Sequence, residues 1–288
     1  MRRIIYVCCV VGLVTGGVVV WRHGAEWLSL GAVTSAMLSP DDGRVADGVY
    51  RNDYFDLAYP LPEGWTQGVG GPGPSTNGYY VLESLVPKGE FAGTILIAAQ
   101  DVFFAGDEAA TTAAMAGAVR EAMSQVDGMS IDAEPAALSI AGRAMHRVDF
   151  SGVGLHRSLF VTAIRCHIVS FSLTARDQEQ LDKLRVSLNS LAFGAGRAAP
   201  PCVRDYVVAE NLVERVEPEL VTLEPIAVRL VIGAGGDVTH VRAIRATAGQ
   251  RKALEQALRQ WRFKPPMIDG RPTQIETGLL YKSAVAVR

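Results

Sequence analysis

The sequence predicts an α+β protein: an N-terminal transmembrane helix, a mixed domain on an antiparallel sheet, and a small C-terminal ββαβ unit. Three observations predict it. After residue 48, apolar runs of strand length far outnumber helical patterns, and the few helices separate groups of strands. An uncharged apolar stretch, Ile4 to Trp21, opens the chain. The charge also changes sign once. From Ala46 to Cys202, 11 Lys and Arg oppose 17 Asp and Glu, a net of −6; from Val203 to Arg288, 13 oppose 10, a net of +3. One such switch suggests two folding units. The 288 residues suffice for about two domains. A formal charge of −2 argues against general nucleic-acid binding.

The elements follow in order. As a helix, Ile4 to Trp21 spans roughly 27 Å, about one hydrocarbon core. Arg2 and Arg3 before it put the N-terminus in the cytoplasm and the rest outside. The implied location is the inner membrane, crossed once, with the later domains periplasmic. A cleaved signal peptide is the rival, but Trp21-Arg22-His23-Gly24 is a poor cleavage site. Gly12 and Gly16 form a G-x-x-x-G pair that would allow a homodimer. Residues 23–47, small and polar, read as a tether. In an oxidising compartment Cys166 and Cys202 could pair, though two lone cysteines do not require it.

Residues 48–193 form the middle domain. Val49 to Pro60 reads as aromatic-rich strand, and Gly68 to Gly78 as loop. Tyr79 to Val86 and Thr94 to Phe103 read as strands. Asp107 to Met123, rich in alanine, reads as a helix. Ala144 to Phe150, Ser158 to Ile164 and His167 to Leu173 are three more strands. A last helix starts near Asp177, with Gln180 placed for a capping box.

Residues 194–208 are a Gly/Ala/Pro linker, and 209–288 the C-terminal unit. Strands Ile226 to Ile232 and Val238 to Ile244 flank a Gly-rich turn. Thr247 caps a helix whose inner face is Leu254, Leu258 and Trp261. Phe263 returns to the core, Pro265 ends helical geometry, and Asp269-Gly270 turns the chain into a final strand, about Thr273 to Tyr281. Trp261, Phe263, Pro265 and Gly270 thus have structural roles.

Taken together, Val228 to Val238, Ala253 to Leu258, Trp261-Arg-Phe-Lys-Pro265 and Asp269-Gly-Arg-Pro272 resemble a TonB C-terminal domain. The resemblance implies a periplasmic module that adds a short segment of an outer-membrane transporter to an open sheet edge. The candidate edge is the last strand, with Gln274, Ile275, Glu276, Thr277, Leu279 and Tyr281. Two departures stand out. The apolar span carries no histidine, and no Pro/Lys-rich spacer follows it, which argues against energy coupling. Tyr50 to Pro60 followed by Leu61-Pro-Glu-Gly-Trp65 is similar to the start of PsbP-like domains, which implies an α/β sandwich used for docking.

Nothing in the sequence points to catalysis, a cofactor or a metal. Gly68 to Gly73 has G-x-G-x-x-G spacing but opens no helix. Ser151 lacks nucleophile-elbow spacing. His146, His156 and His167 fall on neighbouring strands without a metal-ligand motif. Asp101, Asp107 and Glu108 read as solvated or helix-starting charges. The expected function is therefore protein binding by strand addition, associated with outer-membrane transport. The alternative is an envelope adaptor that dimerises through the same edge.

Overall fold

Two-residue turns with both residues at positive φ set the hairpins. Asp47-Gly48, Ala141-Gly142, Val153-Gly154 and Asp269-Gly270 share this geometry. It matches the twist of the flanking strands, and glycine enters it without strain. The computed structural model describes residues 39–90, 93–107, 110–194 and 199–282. The chain begins with β1 (Arg44–Ala46), β2 (Val49–Asn52) and β3 (Leu57–Pro60). Next come β4 (Trp65–Gln67), β5 (Tyr79–Pro87) and β6 (Gly93–Asp101). Helix α1 (Thr112–Ser124) precedes β7 (Met129–Ile140), β8 (Arg143–Gly152), β9 (Leu155–Ile164) and β10 (His167–Ala175). Helix α2 (Gln178–Ser187) and β11 (Ala192–Phe193) end this part.

The antiparallel order β4-β5-β6-β10-β9-β8-β7 makes a seven-stranded sheet, and β1-β2-β3-β11 a four-stranded one. The two helices cover opposite faces of the larger sheet. Ala116 of α1 packs with Val148, Phe150 and Val161. On the other face, Arg185 of α2 pairs with Asp149 at 2.9 Å. Val148 and Asp149 are consecutive in one strand, so their side chains leave opposite sides. Asp177 caps α2 by accepting from the Gln180 N–H. Thr111 caps α1, which starts later than the acidic residues suggest.

The C-terminal part contains β12 (Leu212–Glu214), β13 (Ile226–Ile232), β14 (Val238–Ala243) and α3 (Ala248–Leu258). It continues with β15 (Arg262–Phe263), β16 (Met267–Ile268), β17 (Arg271–Pro272) and β18 (Ile275–Tyr281). Its main sheet has the order β14-β13-β18. Val228, Leu230 and Ile232 face α3 and pack with Leu254, Leu258, Trp261 and Phe263. Thr247 and Gln250 form a full capping box at the helix start. Trp261 lies just past the helix, buried, and donates its indole N–H to Val216 O at 2.7 Å. Phe263 is buried as expected.

The fold class needs correction. Strands dominate the described residues, in several antiparallel sheets, and the three α-helices there have 13, 10 and 11 residues. No helix among the described residues is long and apolar enough to cross a membrane. This finding stands against the expected transmembrane helix and the single-pass inner-membrane location built on it. Ile4 to Trp21 itself lies outside the described residues. The described residues from Pro40 onward pack as one unit.

Candidate functional site

Two features meet at β18: a short open backbone rim and a buried cluster of charges. The rim follows from the pairing. Thr277 is opposite Leu230 and Leu279 opposite Val228 along β13. Glu276 instead turns its backbone outward. Its N–H donates to Pro201 O at 2.9 Å, and its carbonyl accepts from the Val203 N–H at 2.9 Å. Backbone direction alternates along a strand, so Gly278 and Leu280 also point outward. Among the described residues, neither has a backbone hydrogen bond on that side. Leu280 is 57% exposed. A shallow cavity of about 210 Å³ lies alongside, lined by Val207, Val208, Leu212, Trp261, Leu279 and Tyr281 among others.

The six residues named from the sequence therefore divide. Ile275, Thr277, Leu279 and Tyr281 give their backbone groups to β13 and their side chains to the α3 side. Gln274 precedes the strand, its amide 3.5 Å from Thr239 Oγ1. Glu276 is outward in its backbone but already covered, and its side chain enters the cluster. Pro265 and Gly270 sit where the extended arm and the β16–β17 turn require them, with Gly270 at φ 73°.

The cluster was not legible as a site. Asp101, at the end of β6, is fully buried rather than solvated, and Arg229 of β13 is only 3% exposed. Arg229 Nη1 donates to Asp101 Oδ2 at 2.6 Å, and its Nε donates to Glu276 Oε1 at 3.0 Å. The guanidinium also lies 5.0 Å from the Phe103 ring centroid. Burial opposes the charge on Arg229, but Tyr54, Asp101 and Glu276 more than offset it and hold its pKa well above the usual range. Burial pushes the Asp101 carboxyl up, and Arg229 pulls against that.

His167 completes the cluster and is fully buried. Its Nδ1 lies 2.7 Å from the Arg165 carbonyl, which can only accept, so Nδ1 carries the proton. Nε2 is then an acceptor, 3.1 Å from Arg229 Nη1. The ring sits edge-on to Tyr54, Phe55 and Tyr80. Burial lowers its pKa well below 6.5, and Arg229 lowers it further. His146 lies instead 3.0 Å from Thr112 Oγ1 on α1, so the three strand histidines do not converge. Among the described residues no group of His, Cys, Asp and Glu is arranged to hold a metal.

Arg165 and Cys166 form the β9–β10 turn, and both have positive φ without a glycine. Such backbone costs about 1–3 kcal/mol per residue and persists where its surroundings enforce it. Arg165 donates to Tyr54 O at 2.8 Å and stacks 4.2 Å over the Tyr54 ring. Cys166 is bonded to Cys202, beside Glu276. The arrangement is a sealed electrostatic seam between two sheets.

No protein-family model matches the chain, and no curated protein matches it. The chain is similar to several solved structures, among them these two. One is the cyanobacterial PsbP protein (CyanoP) of Synechocystis sp. PCC 6803, at 15% identity and a TM-score of 0.38, covering 52% of this chain and 96% of that one. The other is PA94 of Pseudomonas aeruginosa, a protein of unknown function, at 15% identity and a TM-score of 0.30, covering 50% and 94%. Both likenesses concern the fold only.

Proposed function

We propose that this protein binds another polypeptide by adding a short extended segment of it to the outward rim of β18. One observation carries the reading: the outward backbone groups of Gly278 and Leu280 have no partner among the described residues, and a mainly apolar cavity, edged by Arg215 and Lys282, lies beside them. Main-chain hydrogen bonds would supply affinity, and the cavity would select an apolar side chain. The rim is short, so the guest pairs over only a few residues. The finer identity, a segment of an outer-membrane transporter, rests on the resemblance carried by Trp261 to Pro265.

The test is photo-crosslinking in cells from position 282, exposed beside the same cavity, with identification of the captured chain, in the wild-type background and with Leu280→Pro. Proline removes one outward donor and leaves the β13 ladder intact. Capture of one defined chain, lost in Leu280→Pro, supports the proposal. Capture of a second copy of this chain supports the adaptor alternative. Unchanged capture in Leu280→Pro rejects strand addition.

A further inference from the structure

The segment covering Glu276 is held in place by the disulfide. Pro201 and Val203 each contribute one hydrogen bond to the rim, and Cys202 between them is bonded to Cys166 on the other part of the molecule. Downstream, Arg204 is anchored separately through Ala105 O at 3.2 Å. We propose that the Cys166–Cys202 bond is a redox gate on the β18 rim: oxidised, it clamps residues 201–203 over Glu276; reduced, it frees them and lengthens the open rim from two outward residues to three. This rests on the strand-addition reading and adds its regulation.

The chemistry has a defined direction. Cys202 is exposed, whereas Cys166 is only 7% exposed. A dithiol reductant therefore attacks the Cys202 sulfur as a thiolate, forming a mixed disulfide and expelling the Cys166 sulfur, which takes up a proton. The second thiol of the reductant then displaces Cys202 and becomes oxidised, so two electrons pass from the dithiol to the protein. The structure accommodates the product. Cys166 Sγ lies 3.7 Å from Glu276 Oε2, so the new thiol meets a carboxylate acceptor without rearrangement. Glu276 also supplies the backbone groups being uncovered, so bond and rim are linked through one residue.

The experiment compares amide hydrogen exchange of the full chain, oxidised and treated with dithiothreitol, and of Cys202→Ser. Exchange at Glu276 and Val203 should rise on reduction and in Cys202→Ser by at least about tenfold more than at Thr277 and Leu279, which are bonded to β13 and share only the global loss of stability. Unchanged exchange at Glu276 and Val203 overturns the gate. An equal rise throughout β18 also overturns it, because the bond would then support the fold without covering the rim. No partner is needed for this readout, so it is independent of the crosslinking test. Opening at Glu276 with crosslinking insensitive to Leu280→Pro would keep the gate and reject the receptor.

Discussion

The seven-stranded sheet and the three-stranded C-terminal sheet solve the burial problem differently. The larger sheet has a helix on each face, and its buried polar groups, such as Asp149 with Arg185 and Ser158, are paired within its own part of the chain. The smaller one has α3 on one face only. Its other face carries Arg229, Arg242, Glu276 and Gly278 and is buried against the first sheet through charges. All seven residues of β13 are nevertheless buried. A strand buried on both faces is usually a continuous apolar run. The single arginine in it therefore marks the side on which another body must supply counter-charges. The C-terminal sheet is thus incomplete alone, and its polar face is finished by Asp101 and His167.

The largest expected effect tests that idea directly. Arg229→Ala leaves Asp101 and Glu276 buried without a counter-charge and should destabilise the protein by about 3–5 kcal/mol in urea unfolding. Arg229→Met with Asp101→Asn and Glu276→Gln should recover most of that loss, because no net charge then remains buried. If the single variant is as stable as wild type, the seam does not depend on this charge. Next in size is the disulfide. Removing it by Cys166→Ser with Cys202→Ser should cost about 2–4 kcal/mol, read as a lower denaturant midpoint. A uniform loss across both parts, rather than one centred on residues 199–203, would erase the distinction between clamp and scaffold.

The contrast between the two parts was partly readable. The turns at Asp47-Gly48 and Asp269-Gly270 and the caps Asp177 and Thr247 are local, so side-chain chemistry alone locates them. The run Ile226 to Ile232 and the burial of Trp261 and Phe263 also follow from pattern. The seam does not. Arg229 and Asp101 are 128 residues apart in sequence, and nothing near either names the other. Asp101 just before an Ala-rich stretch looks like a helix-starting charge, yet α1 begins at Thr112 and Asp101 instead turns inward. Arg165-Cys166 gave no turn signal because it lacks glycine. The last strand itself was legible, but which of its backbone groups face outward depends on register with β13 and on Pro201 to Val203.

The smallest expected effect, a pH slope, isolates His167 from the rest of the seam. Its proton is fixed on Nδ1 by Arg165, and Arg229, Arg165 and Arg242 disfavour a second one. Asp101 and the hydroxyls of Tyr54 and Tyr80 are the other titratable groups facing it. The ring stays neutral in the folded protein, whereas in the unfolded chain it titrates near 6.5. Below that value the unfolded state binds a proton that the folded state does not. Stability should therefore fall as pH drops below about 6.5, by up to about 1.4 kcal/mol per pH unit. Asp101, raised by burial, contributes a slope of opposite sign in its own range, so the wild-type curve alone is ambiguous. The measurement is the difference from His167→Gln, which can still donate to Arg165 O and accept from Arg229 but cannot charge. Its unfolding free energy should lack the downward slope between pH 6.5 and 5, and a parallel curve would mean that His167 already carries its proton within the seam.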